Sequence, residues 1–123
     1  MTEYKLGEVE RRFAELIWNN EPLPSGELVK LAEKELCWSK STTYTILRRL
    51  CQRGIFQNEK GIVRSLVSKA DFFSAQSERF VEDAFSGSLP KFLASFARRK
   101  KLSDKEIEEI QKFIDTYKED RSC

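Results

Sequence analysis

Two residues, Trp38 and Ser39, are all that separate one amphipathic helical pattern from the next in the first half of this chain. Upstream, Ser25 can cap a helix with Glu27 in its first turn and Leu28, Leu31, Ala32 and Leu36 on one face. Downstream, from about Lys40 to Arg53, Thr43, Ile46, Leu47 and Leu50 lie to one side. Thr42, Thr45, Arg49 and Arg53 recur at i, i+3, i+7 and i+11 on another, flanked by Ser41, Tyr44 and Arg48. Ser39 or Ser41 can cap this helix, and Gly54 can supply the left-handed stop. Two helices, a tight link and hydroxyls and arginines on the second of them make a helix-turn-helix.

The flanks extend that reading. Before it, Leu6, Val9, Phe13, Leu16 and Ile17 form an apolar stripe that ends at Asn19-Asn20 and the loop EPLP, which places a first helix there. After it, Ile55 to Glu59 and Ile62 to Ser68 are β-branched or aromatic-rich runs around Lys60-Gly61, where glycine permits a positive φ. A hairpin after a helix-turn-helix is a winged helix, and it brings Lys60 and Arg64 within reach of a DNA backbone or minor groove.

Ser41, Thr42, Thr43 and Thr45 are weak helix formers, so their concentration at the start of the third helix asks for a reason. Capping accounts for Ser39 or Ser41 but not for Thr45, Arg48 and Arg49. A helix in the major groove needs short side chains near its N-terminus, because long ones would hold the backbone away from base edges. The spacing therefore directs Thr42, Tyr44, Thr45 and Arg49 toward bases, and Lys40, Ser41, Arg48, Arg53, Lys60 and Arg64 toward phosphates. Charge agrees: residues 38–69 hold seven Lys and Arg against Glu59 alone, although the whole chain is only +2.

Three further helices follow. Asp71 can cap one carrying Phe73, Phe80, Val81, Ala84 and Phe85, which stops at Ser86-Gly87. Ser88 caps the next, with Pro90 in its first turn and Leu89, Phe92, Leu93, Phe96 and Ala97 on one face. The last opens with a capping box, Ser103 to Glu106, and continues through Ile107, Ile110, Phe113, Ile114 and Tyr117. Seven of the nine phenylalanines fall after residue 70. Three short helices have too little interior for that much aromatic surface, so a partner is expected, and a second copy is the simplest one. The surface expected to serve is Phe73, Phe80, Phe85, Leu89, Phe92, Leu93, Phe96, Ile107, Ile110 and Ile114. Packing back onto the wing domain is the alternative. The run ARRKK at 97–101 suits the negative end of a helix dipole. The expected architecture is thus mostly α with a small β-wing: a winged helix-turn-helix over 1–70 and a three-helix dimerisation module over 71–123.

Composition narrows the function classes. The chain has no histidine, no phosphate-cradling glycine loop and no credible carboxylate pair, which argues against an enzyme. Cys37, Cys51 and Cys123 are scattered without metal-ligand spacing, so no metal or cofactor is expected and Cys37 and Cys51 read as half-buried thiols. No apolar run is long enough to insert in a membrane, and the start MTEYKLGEVERR lacks a signal's apolar segment, so cytoplasmic residence is the expectation. Double-stranded DNA is the expected partner. A winged helix used as a protein-interaction module, its basic face on an acidic partner, is the competing reading.

Nearly the whole chain also resembles the BlaI/MecI/CopY group of bacterial repressors, also called penicillinase repressors. The resemblance rests on GEVERRFAELIW, on WSKSTTYTILRRLCQRG and on FSGSLPKFLASFARRKKLSDKEIEEI. It implies a homodimer of winged helices that binds inverted repeats, typically TACA and TGTA around a spacer, and blocks transcription, in some members at β-lactam-resistance operons. Thr42, Thr45 and Arg49 match the Thr, Thr and Arg of the family's recognition helix. Position 41 is serine where lysine is common. The resemblance further implies relief by proteolysis after a membrane sensor detects a β-lactam. The matching bond is Ser95–Phe96, with serine in place of the familiar asparagine. The copper-responsive branch carries a C-terminal cysteine cluster, whereas this chain has only Cys123 near its end.

Overall fold

The computed structural model describes residues 6–121 as six helices and three short strands. It divides into two compact units, Met1–Arg79 and Phe80–Cys123. The division falls inside a helix.

In the first unit α1 (Glu8–Asn20), α2 (Ser25–Leu36) and α3 (Lys40–Gln52) pack with a three-stranded antiparallel sheet. Their apolar faces converge on one core of Phe13, Ile17, Leu28, Leu47, Leu50, Ile55, Phe56, Val63 and Phe72. Val9, expected on the α1 stripe, is 49% exposed because it lies in the first turn, ahead of that core. The expected wing forms: β2 (Phe56–Glu59) pairs with β3 (Ile62–Ser65), Glu59 opposite Ile62. Lys60 (φ 53°) and Gly61 (φ 80°) both take positive φ, as a two-residue hairpin turn with the twist of its strands demands.

The loop EPLP was expected to be irregular. It contains β1 (Leu23–Pro24), which pairs with the far edge of β3 in the order β1-β3-β2. Two residues have no periodicity to read, and proline is tolerated because this is an edge strand.

Two capping expectations and one burial expectation change. Ser25 is the first helical residue rather than the cap, and its hydroxyl bonds the Tyr44 hydroxyl at 3.0 Å. The helix after the wing, α4 (Lys69–Phe85), starts earlier than Asp71: the Asp71 N–H donates to Ser68 Oγ at 3.1 Å. Cys37 is exposed, not half-buried, because it is the left-handed stop of α2 at φ 58°. The N–H groups of Cys37 and Trp38 return to the Glu33 and Ala32 carbonyls, the paired bonds of a Schellman ending.

Within α4, Phe72 is fully buried in the first unit, its ring 5.4 Å from that of Trp18. Trp18 Nε1 donates to the Val67 carbonyl at 3.1 Å, fixing the chain just before the helix. The first unit therefore takes in residues beyond 70.

The second unit holds the end of α4, α5 (Leu89–Arg99) and α6 (Asp104–Arg121). Ser88 caps α5 by accepting from the Lys91 N–H, with proline in the first turn. Ser103 and Glu106 exchange both bonds of the expected capping box, and the hydrogen bonds that the carboxylate accepts from Ser103, its N–H first, hold the Glu106 carboxyl below its usual range. Among the described residues none of α5 or α6 is buried. Cys123 lies outside the described residues.

Candidate nucleic-acid interface

The candidate site is the exposed face of α3. Ser39 caps it: its Oγ accepts from the Thr42 N–H at 3.1 Å and donates to Thr42 Oγ1 at 3.0 Å. Thr43 is 1% exposed, and its hydroxyl donates to the Ser39 carbonyl at 2.9 Å, so one hydroxyl of the cluster is a satisfied core group. Thr45 donates to the Ser41 carbonyl at 2.9 Å, one turn back.

These bonds set what the two exposed threonines offer outward. Thr42 Oγ1 already accepts, so its proton is free for an acceptor such as a phosphate oxygen or a base carbonyl. Thr45 has committed its proton inward, so it presents oxygen lone pairs and a methyl. A donor and an acceptor with a methyl sit one turn apart, and Arg49 follows one turn later. Such a row matches the donor, acceptor and methyl pattern of a major groove.

Lys40, Ser41, Arg48, Lys60 and Arg64 are all exposed, as phosphate contacts require, while Arg53 is half-buried at the C-cap of α3. Tyr44, expected among the base contacts, is also engaged inside the protein. It is half-buried, packed against the core, with its hydroxyl on Ser25. Ser25 also donates its N–H to the Gly61 carbonyl at 2.8 Å. One residue thus joins α3 to the wing turn, a junction that spacing along α3 gives no sign of.

The Arg49 guanidinium lies 3.9 Å from Glu10 of α1, a pairing the helical pattern also gave no hint of. Cys51 lines a cleft of about 250 Å³ with Tyr44, Leu47, Arg48 and Asn58, and burial pushes its thiol pKa up. It is therefore a poor nucleophile at neutral pH. Among the described residues no His, Cys, Asp and Glu cluster could hold a metal, and no helix is long and apolar enough to cross a membrane.

In the second unit the aromatics expected to meet a partner form an open cluster. Phe80, Phe85 and Phe92 stand edge to face with centroids 5.7–6.1 Å apart, and Phe96 extends the row from Phe92 at 6.2 Å. Phe80, Leu89, Phe96, Ile107 and Ile114 are exposed, while Phe85, Phe92, Leu93 and Ile110 are half-buried. Phe113 and Tyr117, on the α6 stripe but left out of the expected surface, are also exposed, at 69% and 57%. Phe73, expected in that surface, instead packs in the first unit, 6.1 Å from Trp18. The Ser95–Phe96 bond lies inside α5, both residues exposed.

Known proteins align with these features. The family model described as Penicillinase repressor matches residues 6–116. The penicillinase repressor of Bacillus licheniformis is 23% identical over 118 residues, covering 93% of this chain and 92% of that protein. The methicillin resistance regulatory protein MecI of Staphylococcus aureus (strain N315) is 23% identical over 115 residues, covering 90% and 94%. A solved structure, the solution structure of the DNA binding domain of the repressor BlaI, superposes with a TM-score of 0.52 at 22% identity, covering 58% of this chain and 93% of that one. That likeness shows the winged-helix fold.

Proposed function

From the premise that the chain belongs to the penicillinase repressor family, a family of DNA-binding transcriptional repressors, we propose that it acts as a homodimer on an inverted-repeat operator. The observation that carries this reading is the exposed row of Thr42, Thr45 and Arg49, whose internal hydrogen bonds leave a donor, an acceptor with a methyl, and a guanidinium facing outward. Lys40, Ser41, Arg48, Arg53, Lys60 and Arg64 supply the phosphate contacts that fix its register.

The open aromatic cluster supports the second copy. α5 and α6 bury no residue, and with Phe80, Phe96, Phe113 and Tyr117 exposed the second unit leaves an apolar surface that a two-fold pairing would cover. Two recognition helices related by a two-fold axis read two half-sites, hence the inverted repeat. The names of the relatives support a β-lactam-resistance or related stress operon as the target. We further propose a cytoplasmic site of action and relief by a membrane sensor and protease cutting Ser95–Phe96. Because that bond lies in a helix, cutting it requires α5 to unwind locally.

The test is selection of binding duplexes from a random-sequence pool, with sedimentation equilibrium of the free protein. Enrichment of an inverted repeat by a dimer is the expected result. A pool left unenriched, with capture of an acidic protein, would instead establish the interaction-module reading.

A further inference from the structure

We infer that Glu10, on the first helix and outside the helix-turn-helix, is the positioning residue that makes Arg49 a reader of bases rather than a binder of any phosphate. The inference rests on the reading of α3 as the recognition helix.

Residues 36–58 contain no acid, so no carboxylate on α3 itself can pair with Arg49. The carboxylate that meets Arg49 comes from α1: Glu10 Oε2 lies 3.9 Å from Arg49 Nη1. Glu10 is itself held. Its Oε1 accepts from the Gly7 N–H at 3.3 Å, and its side chain is only 24% exposed, against 56% for Arg49. One turn further along, Phe13 of α1 and the Leu47 and Leu50 that flank Arg49 are buried in the same core. Both ends of the pair therefore stand on packed helices, the anchorage a positioning contact needs.

Two consequences follow from the chemistry of a guanidinium. It has five N–H donors in a rigid fork, so a carboxylate 3.9 Å from Nη1, in ion-pair range but beyond hydrogen-bond length, biases the fork's orientation and leaves its N–H groups to bond an acceptor pair on a base edge. A free arginine would swing to the nearest phosphate, since phosphates are the denser charge. The carboxylate also offsets the Arg49 charge, which lowers its share of sequence-independent binding and leaves its directional bonds intact. Glu10 thus trades affinity for any duplex against discrimination between duplexes.

The test compares wild type, Glu10→Gln, Arg49→Ala and the double variant by fluorescence anisotropy. The probes are the duplex enriched from the random pool and a scrambled one, each over a salt range. Glutamine keeps an amide oxygen for the Gly7 N–H while losing the charge, and tryptophan-monitored urea unfolding verifies an unchanged fold. Glu10→Gln is expected to tighten scrambled binding and to lower the selected-to-scrambled ratio by about two- to fivefold, the range of a half-exposed ion pair. The salt slope on scrambled DNA should steepen by about one unit, the signature of one added phosphate contact. In the Arg49→Ala background the same change should leave the ratio unmoved. A ratio unchanged by Glu10→Gln, or lowered equally without Arg49, overturns the inference while the repressor reading stands. A wild type with no preference between the duplexes overturns both.

Discussion

Replacing Phe72 by alanine probes how far the DNA-binding unit extends. The ring is completely buried, 5.4 Å from the Trp18 ring and edge-on to Phe73 at 5.5 Å, so the substitution removes a large side chain from a packed aromatic group. Such losses amount to about 3–5 kcal/mol, transfer and cavity together. At roughly 0.05–0.15 kcal/mol per residue, a unit reaching Arg79 has a total stability of about 4–12 kcal/mol. The variant should therefore lose about a quarter of it or more. Trp18 and Trp38 both lie in this unit, which makes tryptophan fluorescence in a urea titration the direct assay. The midpoint should fall by about 1 M or more. A chain cut after residue 70 should behave the same way, since it lacks the same ring. An unchanged midpoint in both would refute the reasoning and place the end of the folded unit at the wing.

Other substitutions test the interface. Thr45→Val should lose about 1–3 kcal/mol of sequence discrimination in anisotropy titrations and Thr45→Ser much less, because the outward oxygen is an acceptor. The reverse order would make the methyl the contact. Lys60→Asn should raise stability in urea by about 0.5–1 kcal/mol, part of the roughly 1–2 kcal/mol an ordinary side chain loses at positive φ. It should also weaken binding to every duplex and flatten the salt slope by about one unit. Tyr44→Phe should lower stability by about 0.5–1.5 kcal/mol through the bond to Ser25 while leaving the operator's base preferences unchanged, as read by selection from a random pool. A relaxed preference at one base pair would restore Tyr44 to the base-reading set.

Much of this architecture was legible along the chain because its determinants are local. The α3 cap, at Ser39 of the two serines spacing offered, the Lys60-Gly61 turn and the Ser103–Glu106 box each involve residues within three or four positions of one another. Features that depend on distant partners were not. Phe72 and Phe73 are adjacent and chemically identical, and only the position of the distant core decides which of them is fully buried. Ser25 is a good cap by residue type, yet Tyr44 from another helix takes its hydroxyl. β1 exists only because β3 has a free edge beside it. The pairing of Glu10 with Arg49 joins two helices whose register the sequence does not state.

The most direct test of the account is the affinity of the wild type and of Arg49→Ala for a TACA-spacer-TGTA duplex and its scrambled counterpart, measured by anisotropy across salt concentrations. The account predicts a wild-type preference of about 10³-fold or more, a steep salt dependence on both duplexes, and a preference cut by about five- to 150-fold in Arg49→Ala. Equal, weak binding of the wild type to both duplexes would contradict it.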